Sequence, residues 1–102
     1  MRGSEVVVRL SRRAGHDFDR AVDYYLSQGP GLAQRLLAAV NATVKDLAEA
    51  PARWAVWRTP QLRRALVPDF PYVLVYRIVS REQVLIVALL HQRQDPNRRF
   101  PP

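Results

Sequence analysis

The sequence contains no cysteine, which excludes disulfide staples, thiolate zinc centres and cysteine nucleophiles. Only two histidines occur, His16 and His91, and no carboxylates cluster, so no metal site and no cofactor is expected. No hydrophobic stretch approaches the roughly 18 residues of a membrane span; the longest is the seven-residue run Val84 to Leu90. The opening Met1-Arg2-Gly3-Ser4-Glu5 lacks the apolar core of a secretory signal. These absences point to the cytoplasm and to no membrane partner. A glycine-rich phosphate loop is also missing, since Gly29-Pro30-Gly31 reads as a turn between helices.

What is present is an ordinary globular composition with unusual charge. At 102 residues, 48% hydrophobic and 25% charged, the chain is sized for one domain with its own core, spanning 1–102. Lys and Arg number 16 against nine Asp and Glu, a net charge of +7. Residues 52–102 carry nine basic and three acidic side chains, so +6 of that +7 lies in the second half. All the cations but Lys45 are arginines, the planar donors suited to carboxylate and phosphate. An acidic partner, nucleic acid or protein, is the expectation.

Hydrophobic spacing orders the elements. Glu5 to Leu10 is short and β-branched, a strand. Ser11 stands as an N-cap before Ala14, Phe18, Ala21, Val22 and Tyr25, which repeat at helical spacing, with Asp17, Asp19, Arg20 and Asp23 on the wet face. Gly29 suits a left-handed C-cap. Leu32, Leu36, Leu37, Val40, Val44, Leu47 and Ala48 form a second helical stripe that Pro51 ends. Two helices of roughly 25 Å joined by so short a turn form an antiparallel hairpin. Thr59-Pro60 then turns the chain into three strands, Leu62 to Val67, Tyr72 to Val79 and Gln83 to His91. Residues 92–102, with three prolines, read as an extended tail. The order β-α-α-β-β-β implies an α+β fold, a helical hairpin packed on one face of a mostly antiparallel twisted sheet.

Tyr24-Tyr25 late in the first helix, Pro51 after the second, Leu62-Arg63-Arg64, Phe70-Pro71-Tyr72, Val75-Tyr76-Arg77 and Ala88 through His91-Gln92-Arg93 to Asp95-Pro96 follow one another in an order that resembles the RelE/ParE superfamily of bacterial type II toxins. The resemblance covers roughly residues 5–96 and is nearest to ParE-like members called plasmid stabilisation proteins. It implies a toxin neutralised in a hetero-oligomer by a cognate antitoxin with an acidic, partly disordered segment. It further implies one of two activities on one fold, inhibition of DNA gyrase by binding or ribosome-dependent cleavage of messenger RNA.

Metal-free RNA cleavage needs a base, an acid and cations around the phosphate. Cations are available at Arg63, Arg64, Arg77, Arg81 and Arg93. Arg63 and Arg64 point to opposite faces of their strand, so at most one serves a given site. Acid and base candidates are few. His16 reads as a surface residue, and His91 as either a general acid or base or a strand-end residue bonded to backbone. Lys45 sits on the polar side of the second helix, no tyrosine follows Tyr76, and Phe100 has no proton to transfer. Tyr72 and Tyr76 read as core aromatics. Trp54 and Trp57, flanked by arginines, either cap the helical hairpin or form a partner surface.

The residues therefore favour a gyrase-binding toxin with Arg63, Arg64, Arg77, Arg93, Trp54 and Trp57 as its antitoxin- or target-binding set. The alternative is a ribosome-associated endonuclease with His91 and Arg63 or Arg64 in its site. A non-toxic relative that only occupies its antitoxin is the third reading.

Overall fold

The computed structural model describes residues 6–58 and 61–101. Glu5, the expected start of the first strand, and the Thr59-Pro60 turn lie outside the described residues. The elements in chain order are β1 (Val7–Leu10), α1 (Arg12–Gln28), α2 (Leu32–Glu49), a 3-10 turn (Pro51–Arg53), β2 (Val56–Arg58), β3 (Leu62–Leu66), β4 (Tyr72–Ser80), β5 (Gln83–His91) and the one-turn helix α3 (Pro96–Arg99). The strands form one five-stranded sheet in the order β1-β5-β4-β3-β2. Only the β1–β5 pair is parallel. The α+β fold is as expected, with β2 and α3 added to it.

Local chemistry explains the helical hairpin. Ser11 accepts the N–H of Ala14 on its Oγ at 3.1 Å, satisfying one of the free donors at the start of α1. The left-handed residue of the turn is Gly31 (φ 80°) and not Gly29, which takes φ 159° and ψ 162°. Gly31 is the N-cap of α2, and its positive φ is one that only glycine adopts without strain. Both helices lie on one face of the sheet. Ala14 and Ala21 of α1, with Leu36, Val40 and Leu47 of α2, share a core with Leu74, Tyr76 and Ile86. Leu37, expected in the stripe, is 41% exposed, while Thr43 is buried and donates its hydroxyl to the Ala39 carbonyl at 3.0 Å.

The sheet's other face carries a smaller cluster of Leu62, Val75, Ala88 and Leu90. A bulge in β5 assigns its residues to the two faces. Val75 pairs with Ala88 and Tyr76 with Ile86, so Val87 has no opposite number. The extra residue inverts the alternation. Val84, Ile86 and Leu89 face the helices, whereas Ala88 and Leu90 face away.

β1 pairs only with Gln83 to Ile86 of β5, and the Ser11 N–H closes that ladder on the Ile86 carbonyl at 2.9 Å. Past this point side chains take the place of a neighbouring strand. The Leu89 N–H donates to Asp17 Oδ2 at 3.1 Å. The Val87 carbonyl accepts from Arg99 Nη2 at 3.0 Å and from Ser11 Oγ at 3.5 Å. Asp17 and Arg99 pair with each other through two bonds of 3.1 and 2.9 Å, their side chains 8% and 11% exposed. Asp17 is therefore not on the wet face, because its helix position meets the C-terminal segment. Nor is that segment simply extended. Asp95 caps α3 by accepting the Asn97 N–H at 3.0 Å. Arg58 donates to Asn97 Oδ1 at 3.0 Å and to the Phe100 carbonyl.

Tyr76 is fully buried and donates its hydroxyl to the Pro51 carbonyl at 2.6 Å, tying the end of the helical hairpin to the sheet. The Tyr72 and Tyr76 phenols are both pushed above their usual pKa of 10.0. Burial is the main cause for each, reinforced at Tyr72 by Tyr25 and Tyr24 and opposed at Tyr76 by the Arg63 charge.

Three outcomes are expected. Asp17→Ala leaves Arg99 unpaired and the Leu89 N–H without an acceptor, so urea unfolding at neutral pH reads a loss of about 3 kcal/mol. Adding Arg99→Ala to it lowers stability by less than about 1 kcal/mol more, since the pair is already broken; a loss below that for Asp17→Ala alone refutes the role given to it. Tyr76→Phe orphans the Pro51 carbonyl and lowers stability by about 1 to 2 kcal/mol. The unfolded chain loses phenolic protons before the folded one. The tyrosines' contribution is thus intact below about pH 10 and declines as pH rises through the raised folded values. Unfolding of Tyr76→Phe followed above pH 10 shows a shallower decline than the parent protein.

Candidate functional site

Alternation along four strands aims a mixed set of side chains at the face opposite the helices. Trp57 comes from β2, Arg64 and Leu66 from β3, Val73 from β4 and Leu90 from β5. With Trp54 and the segment His91, Gln92, Gln94 and Pro96 they line a cavity of about 560 Å³. Its floor is apolar because Leu62, Val75 and Ala88 fill the layer behind it. Its wall is a stacked unit. The Arg58 and Arg64 guanidiniums lie 4.5 and 4.6 Å from the Trp57 ring centre, and Phe100 meets that ring edge-on at 6.2 Å. Contacts of this kind attract a cation to the ring's electron-rich face and hold it in place. Leu66 is 66% exposed at the opening.

The expected site residues are divided by this geometry. Arg64, Trp54, Trp57 and His91 all line the cavity. Arg63 points to the helix side, where it donates to the Trp54 and Ala52 carbonyls and stands opposite Tyr76 in the β3–β4 register. Parity had allowed only one of the two adjacent arginines into a site, and Arg64 is that one. Arg77 is exposed on β4 away from the cavity lining, and Arg93 lies in a separate groove with Arg13 and Arg20. Trp54 divides its contacts, packing edge-on against Tyr76 at 6.5 Å while lining the cavity. His16 and Lys45 are exposed on the helices.

His91 closes β5 in a bonded knot. Its Nδ1 accepts the Arg93 N–H at 3.0 Å. Its own N–H donates to Gln94 Oε1 at 2.7 Å, and its carbonyl accepts the Gln94 N–H at 2.9 Å. The ring meets Tyr72 edge-on at 5.2 Å. With Nδ1 serving as an acceptor, the neutral ring carries its proton on Nε2. Of the described residues lining the cavity, His91 and Arg64 are ionisable, and Arg58 stacks on the same Trp57 ring behind its wall. The site thus offers one acid or base group and stacked guanidinium cations on an apolar, aromatic surface.

Sequence reasoning did not pick out Leu66, Val73, Gln94 or Pro96 as cavity residues. For Leu66 a signal existed, since it shares the parity of Leu62 and Arg64. For Gln94 and Pro96 none did, because their placement follows from the turn that His91 holds.

Comparison with known proteins bears on this architecture. A family model describing the ParE toxin of the type II toxin–antitoxin system parDE matches residues 8–96. The chain belongs to the ParE toxin family. It is 31% identical over 86 residues to the Y4kP protein of Sinorhizobium fredii, covering 84% of this chain and 90% of that one. Among solved structures, the fold is similar to a chain of the chromosomal ParDE toxin–antitoxin system of P. aeruginosa. That match has a TM-score of 0.72 at 20% identity and covers 84% of this chain and 95% of the other. It is also similar to a chain of the RelBE2 toxin–antitoxin complex of Mycobacterium tuberculosis. There the TM-score is 0.63 at 24% identity, covering 91% and 98%. The ParE family assignment and the RelE-like fold neighbour agree with the superfamily resemblance carried by the sequence. Among the described residues, no helix is long and apolar enough to cross a membrane.

The tautomer is directly measurable. Nitrogen-15 NMR of the His91 ring above neutral pH is expected to show a protonated Nε2 and a bare Nδ1, and a proton on Nδ1 would contradict the bonded knot at the end of β5.

Proposed function

We propose that this ParE-family toxin acts by binding DNA gyrase, without bond chemistry of its own, and that a cognate antitoxin neutralises it in a hetero-oligomer. The observation that carries this reading is the make-up of the outer cavity. An apolar floor, two tryptophans and a stacked arginine are the ingredients of a binding hot spot. RNA cleavage would need an acid and a base together, and the cavity lining holds one such group, His91, with Nδ1 already bonded.

The acidic antitoxin segment would find exposed arginines at Arg64, Arg77 and Arg93. Arg63 is a poorer candidate because its guanidinium is taken up by backbone carbonyls. Exposed ion pairs of this kind contribute less than about 1 kcal/mol each, so the apolar cavity would supply most of the affinity and the arginines the salt sensitivity.

A second reading is kept by one observation: His91 and Arg64 line the same cavity. A ribosome-dependent endonuclease would use that pair around a scissile phosphate.

The purified protein separates the two in a gyrase supercoiling assay run beside RNA cleavage in a translating extract. Supercoiling inhibition with intact RNA is expected. Arg64→Ala or Trp57→Ala raises the half-inhibitory concentration about tenfold or more, while His91→Gln stays within about threefold. Cleaved RNA that survives in Arg77→Gln but disappears in folded His91→Gln would replace the gyrase reading with the nuclease one.

A further inference from the structure

A second concavity, about 410 Å³, lies between α1 and the C-terminal segment and is lined by Arg13, Arg20, Arg93, Arg98 and Arg99 with Asp95. Five guanidiniums around one space repel one another, which destabilises the protein unless a partner supplies negative charge. Two carboxylates offset part of that charge. Asp17 is held by Arg99, and Asp95 Oδ1 accepts the Asn97 N–H that caps α3. Among the described residues the Asp17–Arg99 contact is the one salt bridge, so Arg13, Arg20, Arg93 and Arg98 stand without an ionic partner.

The arrangement is ordered. Arg13 and Arg20 are seven residues apart, two helical turns, so they project from one face of α1 about 10 Å apart along its axis. Asp17 lies between them on that face. Its bond to Arg99 holds the C-terminal segment against α1, so that Arg93 and Arg98 line the same groove as Arg13 and Arg20. Three of the four unpaired arginines lie outside the set that sequence reasoning singled out.

We infer that this groove binds the sugar–phosphate backbone of a nucleic acid. Paired rows of arginine on two walls suit a run of phosphates, each able to accept the bidentate guanidinium fork. An acidic peptide of the kind that folds on a toxin needs apolar anchors as well, and here Leu90 is the single apolar lining residue. The inference stands apart from the gyrase reading, because the groove shares only Arg93 with the arginines offered to the antitoxin and neither assay depends on the other.

Fluorescence anisotropy with the intact protein tests it, using a labelled DNA duplex of roughly twenty base pairs and, separately, a single-stranded RNA of the same length. Binding without sequence preference is expected, weakening from about 50 to about 200 mM salt with a log–log slope near −3, as counterions leave the phosphates. Arg13→Gln with Arg20→Gln reduces that slope by about two and weakens binding about tenfold or more. Arg93→Gln with Arg98→Gln, on the other wall, does the same, so the result does not rest on one variant's folding. Arg9→Gln with Arg81→Gln removes equal charge from exposed positions elsewhere and leaves affinity within about threefold. Stronger binding of the duplex or of the RNA identifies the source of the backbone. Equal losses from groove and control pairs overturn the inference, as does failure of both nucleic acids to bind at low salt. So does a groove that takes a glutamate-rich peptide while ignoring them.

Discussion

A strand that outruns its neighbour leaves backbone groups which must be bonded or left open to water, and β5 is such a strand. β1 covers four of its residues, Gln83 to Ile86, and the remainder is closed by Asp17 and Arg99, which bond its backbone and each other. That arrangement fixes more than an edge. It seats α1 at the sheet's margin, draws the C-terminal turn onto the protein and brings Phe100 against Trp57. A charge pair this deeply buried is maintained by hydrogen bonds beyond the pair itself. Here the carboxylate accepts three bonds, and the guanidinium returns donors to the carboxylate and to a carbonyl.

The sheet then separates two kinds of surface. Its helix side is a closed core in which even the tyrosine hydroxyl at Tyr76 has a partner. Its other side has only a thin cluster and stays open, with Trp57 and its stacked arginines standing over Val73 and Leu90. The Val87 bulge makes this division possible. Were Val87 paired in regular alternation and not bulged, Ala88 and Leu90 would turn towards the helices and Val87 and Leu89 towards the cavity, so that each surface would be built from the other's residues.

Arginine does several jobs in one chain. Arg58, Arg63 and Arg99 are fasteners, their planar forks bonded to carbonyls and to Asp17. Arg64 is held against Trp57 at the cavity wall. Among the described residues, Arg13, Arg20, Arg93 and Arg98 have no ionic partner around the second groove. The concentration of charge in the second half of the sequence is thus partly structural, and only the unengaged fraction is available to a partner. Membership of the ParE toxin family is compatible with more than one chemistry on this fold, so function follows from which side chains are left free.

Elements whose signals are local could be read along the chain. Ser11 as N-cap, the three- and four-residue spacing of α1 and α2, the boundaries of β5 and the opposite parity of Arg63 and Arg64 were all legible, as was the family. β2 was not, because three residues make no pattern and its strand character comes from pairing with β3. The helical turn of α3 was hidden for the same reason. Asp17 looked solvated because its partner is 82 positions away, a separation over which no spacing rule operates. Parity told that Arg63 and Arg64 part company, but which of them faces solvent depends on which side the helices cover. The outer cavity and the arginine groove are likewise products of the tertiary structure. Each gathers side chains from segments far apart in the sequence, and their proximity arises only when the chain closes around the far end of β5.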